Sequence, residues 1–315
     1  MENQTSATYF VLLGFTENPV VQIFLFLIFL CMYAATLMGN MVIMTVIRGN
    51  AHLHSPMYFL LSHLSFLDVC ISSVTVPRAL MSLCSSRTIS YYGCIAQTCF
   101  LFLTVCSEVF LLSAMAYDRY AAICKPLYYA QIMNREFCRG LVGGAWAIGF
   151  MHSLVNTLPL LKLMFCSSNV IRHFSCEFPS LVPLSCTDTF TIWVTFYITF
   201  TTVGLLSFSV ILVSYIHIIS TVLKMHSAEA KRKTFSTCSS HLIVVVLYYS
   251  SGLFRYFGSN ITSSVIVEEL FSIQYSIATP LLNPIIYSLK TRTVKEAIKN
   301  LLGYKPLISH HMSYT

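Results

Sequence analysis

Charge is what this chain has least of. Only 10% of its 315 residues are Asp, Glu, Lys or Arg, where a soluble domain carries about 25%. Hydrophobic residues make up 56%, and the mean hydropathy is +0.71. That balance excludes an ordinary water-soluble domain and makes the bilayer the solvent. Internal self-similarity is also missing, which argues against transporters built from repeats with paired broken helices. There is no glycine-rich phosphate cradle, no HExxH run and no Ser/His/Asp arrangement, so no enzyme is expected. Nor is a cleavable signal peptide. Met1 to Pro19 is polar, lacks a basic n-region and precedes an apolar run too long for an h-region.

What the chain has instead is long apolar runs. A spanning helix needs about 20 mostly apolar residues, and seven are expected, near 22–47, 57–81, 93–117, 140–163, 190–222, 237–258 and 267–289. The fold class is therefore an all-α membrane protein, a seven-transmembrane helix bundle. Its expected parts are an extracellular tail at 1–21, the bundle at 22–289 and a cytoplasmic tail at 290–315. Segment four is the weakest, broken by Gly143, Gly144, His152, Asn156 and Pro159, which is tolerable if those groups face protein rather than lipid.

Lys and Arg set the orientation. Arg48, Arg119, Lys125, Arg135, Arg139, Lys224, Lys231, Arg232, Lys233, Lys290, Arg292, Lys295, Lys299 and Lys305 share one side. Only Arg78, Arg87, Lys162, Arg172 and Arg255 fall on the other. Fourteen against five places the amino terminus outside. The net charge of +7 then reads as positive-inside topology and contact with anionic membrane lipids, with no nucleic acid implied. Sequons at Asn3 and Asn260 lie on the outer side. In the inner tail, Val294, Ala297, Ile298, Leu301 and Leu302 share one face between Lys295 and Lys299, the pattern of a short amphipathic eighth helix on the inner leaflet. No cysteine follows Cys238, so a palmitoyl anchor on that tail is excluded.

Cys94, Cys166, Cys176 and Cys186 lie outside, where disulfides persist. Four cysteines allow three pairings, and spacing alone does not choose. Cys84 is left as an odd thiol. The run His173-Phe174-Ser175-Cys176-Glu177 has metal-ligand residue types, but loop packing is the better reading.

Motifs arrive in order along the helices. Gly39-Asn40 lies in the first. Leu53-His54-Ser55-Pro56-Met57-Tyr58-Phe59-Leu60-Leu61 opens the second, with Pro56 in its first turn. Met115-Ala116-Tyr117-Asp118-Arg119-Tyr120 stands where the third segment gives way to a basic loop. An acid and an arginine there neutralise each other at the membrane boundary, although Asp-Arg pairs also cap ordinary helices. Ser214-Tyr215 ends the fifth segment, Lys233 to His241 opens the sixth, and Pro280-Leu281-Leu282-Asn283-Pro284-Ile285-Ile286-Tyr287 closes the seventh. Taken together, the series resembles the odorant receptors of the rhodopsin-like G-protein-coupled receptor family. Departures are Leu60 where Phe is usual, Thr234 where Ala is common and Ser250 where Gly is common.

The resemblance implies a multi-pass plasma-membrane receptor that binds a small-molecule odorant and activates a heterotrimeric stimulatory G protein to raise cAMP. It implies disulfides Cys94–Cys176 and Cys166–Cys186. It implies a G-protein switch of Asp118, Arg119, Tyr120, Tyr215, Asn283, Pro284 and Tyr287, with Arg119 paired to Asp118 at rest. No cofactor is expected beyond a structural Na⁺ that Asp68 and Glu108 would share with help from Asn40 and Asn283. Two protonated carboxyls bonded to serines such as Ser65 are the other reading. Phe102, Val105, Cys106 and Val109 form a stripe at i, i+3, i+4 and i+7 that suits either plain packing core or a ligand wall. The family places the ligand there, faced by Thr199, Phe200 and Val203 of helix five, Tyr249, Gly252 and Tyr256 of helix six, and Ser276 of helix seven. Within the fold, the residues exclude two ligand types. No Lys lies in segment seven before Lys290, so retinal chemistry is out. Leu101 to Val105 holds no Asp, so a cationic amine has no anchor. A transporter, a channel and a ligandless pseudo-receptor remain as alternatives.

Overall fold

A computed structural model describes residues 8–16, 18–84, 86–166, 169–257 and 265–290. The sequons at Asn3 and Asn260 and the expected eighth helix lie outside the described residues. Among those described, six continuous helices are long and apolar enough to cross a membrane. We label the six α1 (Pro19–Gly49), α2 (Pro56–Cys84), α3 (Tyr91–Cys124), α4 (Arg135–Thr157), α5 (Phe190–Lys224) and α6 (Ala228–Phe257). The seventh, α7, is built in three pieces: Val265–Ile273, a π-helical turn at Gln274–Ala278, and Thr279–Lys290 with Pro284 inside. Each expected span is recovered. Tyr215, expected at the end of the fifth, lies well inside it, because α5 continues to Lys224.

Local chemistry starts the helices where they start. Asn18 accepts the Val20 and Val21 N–H groups at 3.0 and 3.4 Å ahead of Pro19 at the first turn. Ser90 caps α3 through the Gly93 N–H at 3.1 Å, and Asn134 caps α4 through Phe137 at 2.8 Å. Inside the bundle, α3 is the most enclosed helix. Leu64 and Leu67 of α2 meet Leu111, Leu112 and Met115 of α3 in a core from which every one of these side chains is fully buried. Small residues let helices close up. A side chain at Gly149 of α4 would lie 2.2 Å from Ser107 Oγ and 2.8 Å from the Leu103 carbonyl of α3. One at Gly39 of α1 would lie 3.1 Å from Pro284 Cβ of α7. Of the groups that interrupt segment four, Asn156 is buried whereas Gly143 is exposed. The exposed glycine is harmless because it carries no polar side chain into lipid.

One small sheet joins the outer elements, and no sequence pattern announced it. Tyr9–Leu12 (β1) pairs antiparallel with Thr88–Ser90 (β2) and parallel with Val170–Ile171 (β3), in the order β2-β1-β3. Phe10 and Leu12 are fully buried under it.

Candidate functional site

Two sites lie at opposite ends of the bundle. The outer one is a cavity of about 380 Å³ enclosed by α3, α4, α5, α6 and α7. Nine expected residues line it: Phe102, Val105, Cys106, Val109, Phe200, Val203, Tyr249, Gly252 and Tyr256. Two do not. The Thr199 hydroxyl turns to α4, donating to Asn156 Oδ1 and its own Phe196 carbonyl, each at 3.1 Å. Ser276 returns its hydroxyl to the Ser272 carbonyl at 2.6 Å and is fully buried. Both hydroxyls take the nearest backbone acceptor, the usual resort of Ser and Thr in a helix.

Sequence reasoning missed His152, Tyr248 and Tyr275 as lining residues. His152 is the informative one. Both of its ring nitrogens are buried without a hydrogen-bond partner among the described residues. A polar residue inside an apolar span was the available signal. No Asp, Glu, Lys or Arg lines the cavity. On one flank, Leu205 and Phe208 of α5 and Leu253 of α6 both line it and are 64%, 42% and 53% exposed. That flank therefore faces outward between two helices.

The outer loop between α4 and α5 forms the roof. Both implied disulfides are present, Cys94–Cys176 and Cys166–Cys186, with Cα atoms 5.3 and 5.9 Å apart. Cys84 is free and exposed. Gln97 of α3 accepts the Cys176 N–H at 2.9 Å, and Phe178 stacks on Phe196 with centroids 4.2 Å apart. Arg255, counted among outer loop cations, is in fact fully buried in α6. It donates to Glu177 at 2.7 Å, to Glu268 at 3.3 Å and to Ser180 at 3.0 Å. Ser272 of α7 and Ser175 also donate to Glu177, at 3.1 and 3.0 Å. Burial would raise the Glu177 carboxyl, but the Arg255 charge and its hydrogen bonds outweigh it and hold it near 2. Burial pushes His173 down to about 4. The imidazole is therefore neutral, accepting the Ser175 N–H at Nδ1 and meeting the Ser272 hydroxyl through Nε2. No metal-holding group of three or more His, Cys, Asp or Glu exists among the described residues. Packing is what this loop motif does.

The inner site surrounds Arg119. Among the described residues no ion pair within 4.0 Å joins it to Asp118. The buried Asp118 instead accepts the Tyr129 hydroxyl at 2.8 Å, a neutral donor from the loop after α3. On the helix that carries Arg119, Ala116, Tyr120 and Ile123 pack with Tyr215 and Ile218 of α5 and with Cys238 of α6, so both helices converge on this end of α3. Tyr120 packs on Tyr117 and His217. His241 bridges three helices, bonded to Tyr215 of α5 and to the Leu112 carbonyl of α3 at 3.0 Å. Between the sites, Tyr249 bonds Ser207 at 2.7 Å, and Ser113 donates to the Ser207 carbonyl at 3.0 Å.

Halfway along, Asn283 donates to both Asp68 oxygens at 2.9 and 3.1 Å. Asn40 donates to the Thr36 and Pro280 carbonyls, both at 3.0 Å. Both Glu108 oxygens, Asn40 Oδ1 and Asn283 Oδ1 are buried acceptors with no donor. Orphaned acceptors beside two carboxyls are a donor set suited to a hard cation.

A bundle of seven helices with an apolar cavity at its outer end and an Asp-Arg-Tyr run at the inner end of the third has the build of a membrane receptor of the G-protein-coupled class. The family model described as "Olfactory receptor" matches residues 29–305. The chain is 47% identical to human (Homo sapiens) olfactory receptor 8S1, over 93% of this chain and 81% of that one. It is 44% identical to human olfactory receptor 5A1 over 98% of each. It is also 44% identical to mouse (Mus musculus) olfactory receptor 4E2 over 95% and 96%. The chain belongs to the olfactory receptor family, and is a multi-pass plasma-membrane receptor for odorants that acts through G proteins rather than an enzyme.

Proposed function

We propose that the outer cavity takes small, neutral, largely apolar volatile molecules and that the bundle reports them to a stimulatory G protein, raising cAMP. The observation that carries the ligand class is the lining, which is aromatic and aliphatic and without an ionised side chain. Apolar burial at about 25 cal/mol per Å², with one hydrogen bond worth about 0.5–1.5 kcal/mol, gives weak and permissive binding, about micromolar. His152 replaces Thr199 as the polar anchor, since its ring nitrogens are uncommitted whereas the Thr199 hydroxyl is already hydrogen-bonded.

Signal transfer starts at Tyr249, which both lines the cavity and holds Ser207. A ligand that displaces this ring favours a state in which α6 leaves α3 and α5, by population shift. The His241 bridge then opens and Arg119 is freed toward the cytosol, with Tyr215 and Tyr287 closing behind it. The groove so made admits the C-terminal helix of a G-protein α subunit. Asp68, Glu108, Asn40 and Asn283 would hold a sodium ion, which supplies the positive charge that two buried carboxyls lack. A cAMP reporter in cells, screened with an odorant panel, tests the whole reading. Arg119→Ala that reaches the surface and still signals normally would refute the switch. Sodium sensitivity unchanged in Asp68→Asn would refute the ion site.

A further inference from the structure

The rings of the outer cavity are out of proportion to the rest of the chain. Of the eighteen described residues that line it, seven are Phe or Tyr, whereas aromatic residues make up 14% of the sequence. They come from α3, α5, α6 and α7, so they surround the space rather than forming one wall. Two of the tyrosines have their polar ends committed elsewhere. Tyr248 donates to the Val105 carbonyl at 2.7 Å, and Tyr249 shares a 2.7 Å hydrogen bond with Ser207. Buried phenols seek such partners. Held at the hydroxyl, each ring leaves carbon rather than oxygen for a ligand to meet.

The lining rings also meet at angles. Phe200 lies 4.8 Å from Tyr256 with the planes 56° apart, and Phe208 lies 5.4 Å from Tyr249 at 61°. Tilted pairs present both the negative face and the positive edge of a ring to the space between them. Phe102, Phe200 and Tyr256 share one neighbour, the buried Phe196, at 5.9, 5.6 and 5.2 Å, and so form a single patch. Beside that patch is the polar anchor, because the Phe102 and His152 rings lie 5.6 Å apart at 79°. An aliphatic ligand gains only the area it buries. A planar ring of equal size buries similar area and adds offset or edge-to-face pairing. Given that this cavity is the odorant site, we propose that its preferred ligands are benzenoid. The aromatic ring lies against Phe102, Phe200 and Tyr256, and one oxygen function, on the ring or one carbon from it, bonds His152.

Matched pairs that differ only in ring saturation test this: acetophenone against cyclohexyl methyl ketone, and benzyl alcohol against cyclohexylmethanol. In cAMP dose–response at matched surface expression, the aromatic member should be more potent by about three- to tenfold. Partition into the membrane differs within a pair, so the deciding quantity is how that ratio changes on substitution. Phe200→Leu keeps apolar bulk and should lower the ratio about threefold. Phe102→Leu, a second variant on another helix, should do the same. Phe254→Leu removes a ring that stacks on Phe271 outside the cavity, and should leave the ratio unchanged. A ratio near one in the parent, or one that neither cavity variant lowers, overturns the proposal. Silence toward every pair, in a receptor that answers other odorants, overturns it as well. Failure of the cavity reading itself looks different: the potencies of all odorants would then survive Val105→Phe, which fills the space.

Discussion

Tyr215 and His241 are joined twice over, by a 2.8 Å hydrogen bond from the hydroxyl to Nδ1 and by rings only 11° from parallel. Because the other ring nitrogen, Nε2, donates to the Leu112 carbonyl, the imidazole is the neutral tautomer that can accept at Nδ1. One side chain of α6 thereby pins α3 and α5. Tyr215→Phe removes a bond worth about 0.5–1.5 kcal/mol net. Basal cAMP at matched surface expression should rise about two- to tenfold. An unchanged basal level would show that the bridge does not hold the resting state.

His152 offers the test of ligand polarity. His152→Leu should lower potency for odorants with a carbonyl or hydroxyl about two- to tenfold and leave pure hydrocarbons unaffected. Thr199→Val should change neither, since its hydroxyl faces Asn156. Dose–response curves for a ketone and its parent alkane decide the matter. A potency loss in Thr199→Val alone would return the anchor to α5.

The Arg255–Glu177 pair is fully buried and ties the roof loop to α6. Glu177→Gln leaves Arg255 with only the more exposed Glu268 and should cost about 3 kcal/mol, read as a lower melting temperature of the purified receptor. Changing both partners, Glu177→Leu with Arg255→Met, should recover most of the loss, because an apolar pair has nothing to desolvate. Equal melting temperatures in all three proteins would remove the pair from the stability of the outer face.

Acid should loosen the same roof in two stages. His173 sits near 4 against an ordinary 6.5, so the unfolded chain binds its proton first and stability falls as pH drops from 6.5 toward 4. Glu177, near 2 against 4.5, adds a further loss as pH falls below 4.5. Thermal stability should be flat above about 6.5 by this linkage. His173→Gln should flatten the upper stage only. A His173→Gln profile that matches the parent would disprove the assignment.

Much of this architecture was legible because membranes allow so little. Seven apolar runs, a cation bias and an Asp118-Arg119 junction sufficed for the bundle and its direction, since unbroken apolar runs of this length satisfy their backbone in lipid as helices. The helix-three stripe suited packing core and ligand wall alike, and it was the resemblance that put the cavity beside Phe102, Val105, Cys106 and Val109, which do line it. What escaped were contacts between segments distant in the chain. Nothing in Tyr9–Leu12 says that it pairs with two outer loops. Arg255 read as a loop cation because its partner Glu177 lies 78 residues away. Nor does the sequence say that Asp118 accepts the hydroxyl of Tyr129, eleven residues on and past the end of the helix.

The close approach of α3 and α4 was equally invisible, although its glycine was in plain view. Gly149→Ala should sharply reduce surface expression, because the new Cβ meets the Leu103 backbone. Gly143→Ala, with open space around it, should be neutral or slightly favourable. Flow cytometry of tagged receptors separates the two. Normal expression of Gly149→Ala would mean that the helices can part at no cost.

The cavity is roofed against the aqueous side by a cross-linked loop, while Leu205, Phe208 and Leu253 leave it facing the bilayer. A receptor loaded through this flank would draw its ligand from the membrane phase. Its apparent sensitivity to an odorant then contains that molecule's oil–water partition coefficient as a factor. Two ligands of equal fit would differ in potency by the ratio of their solubilities in lipid.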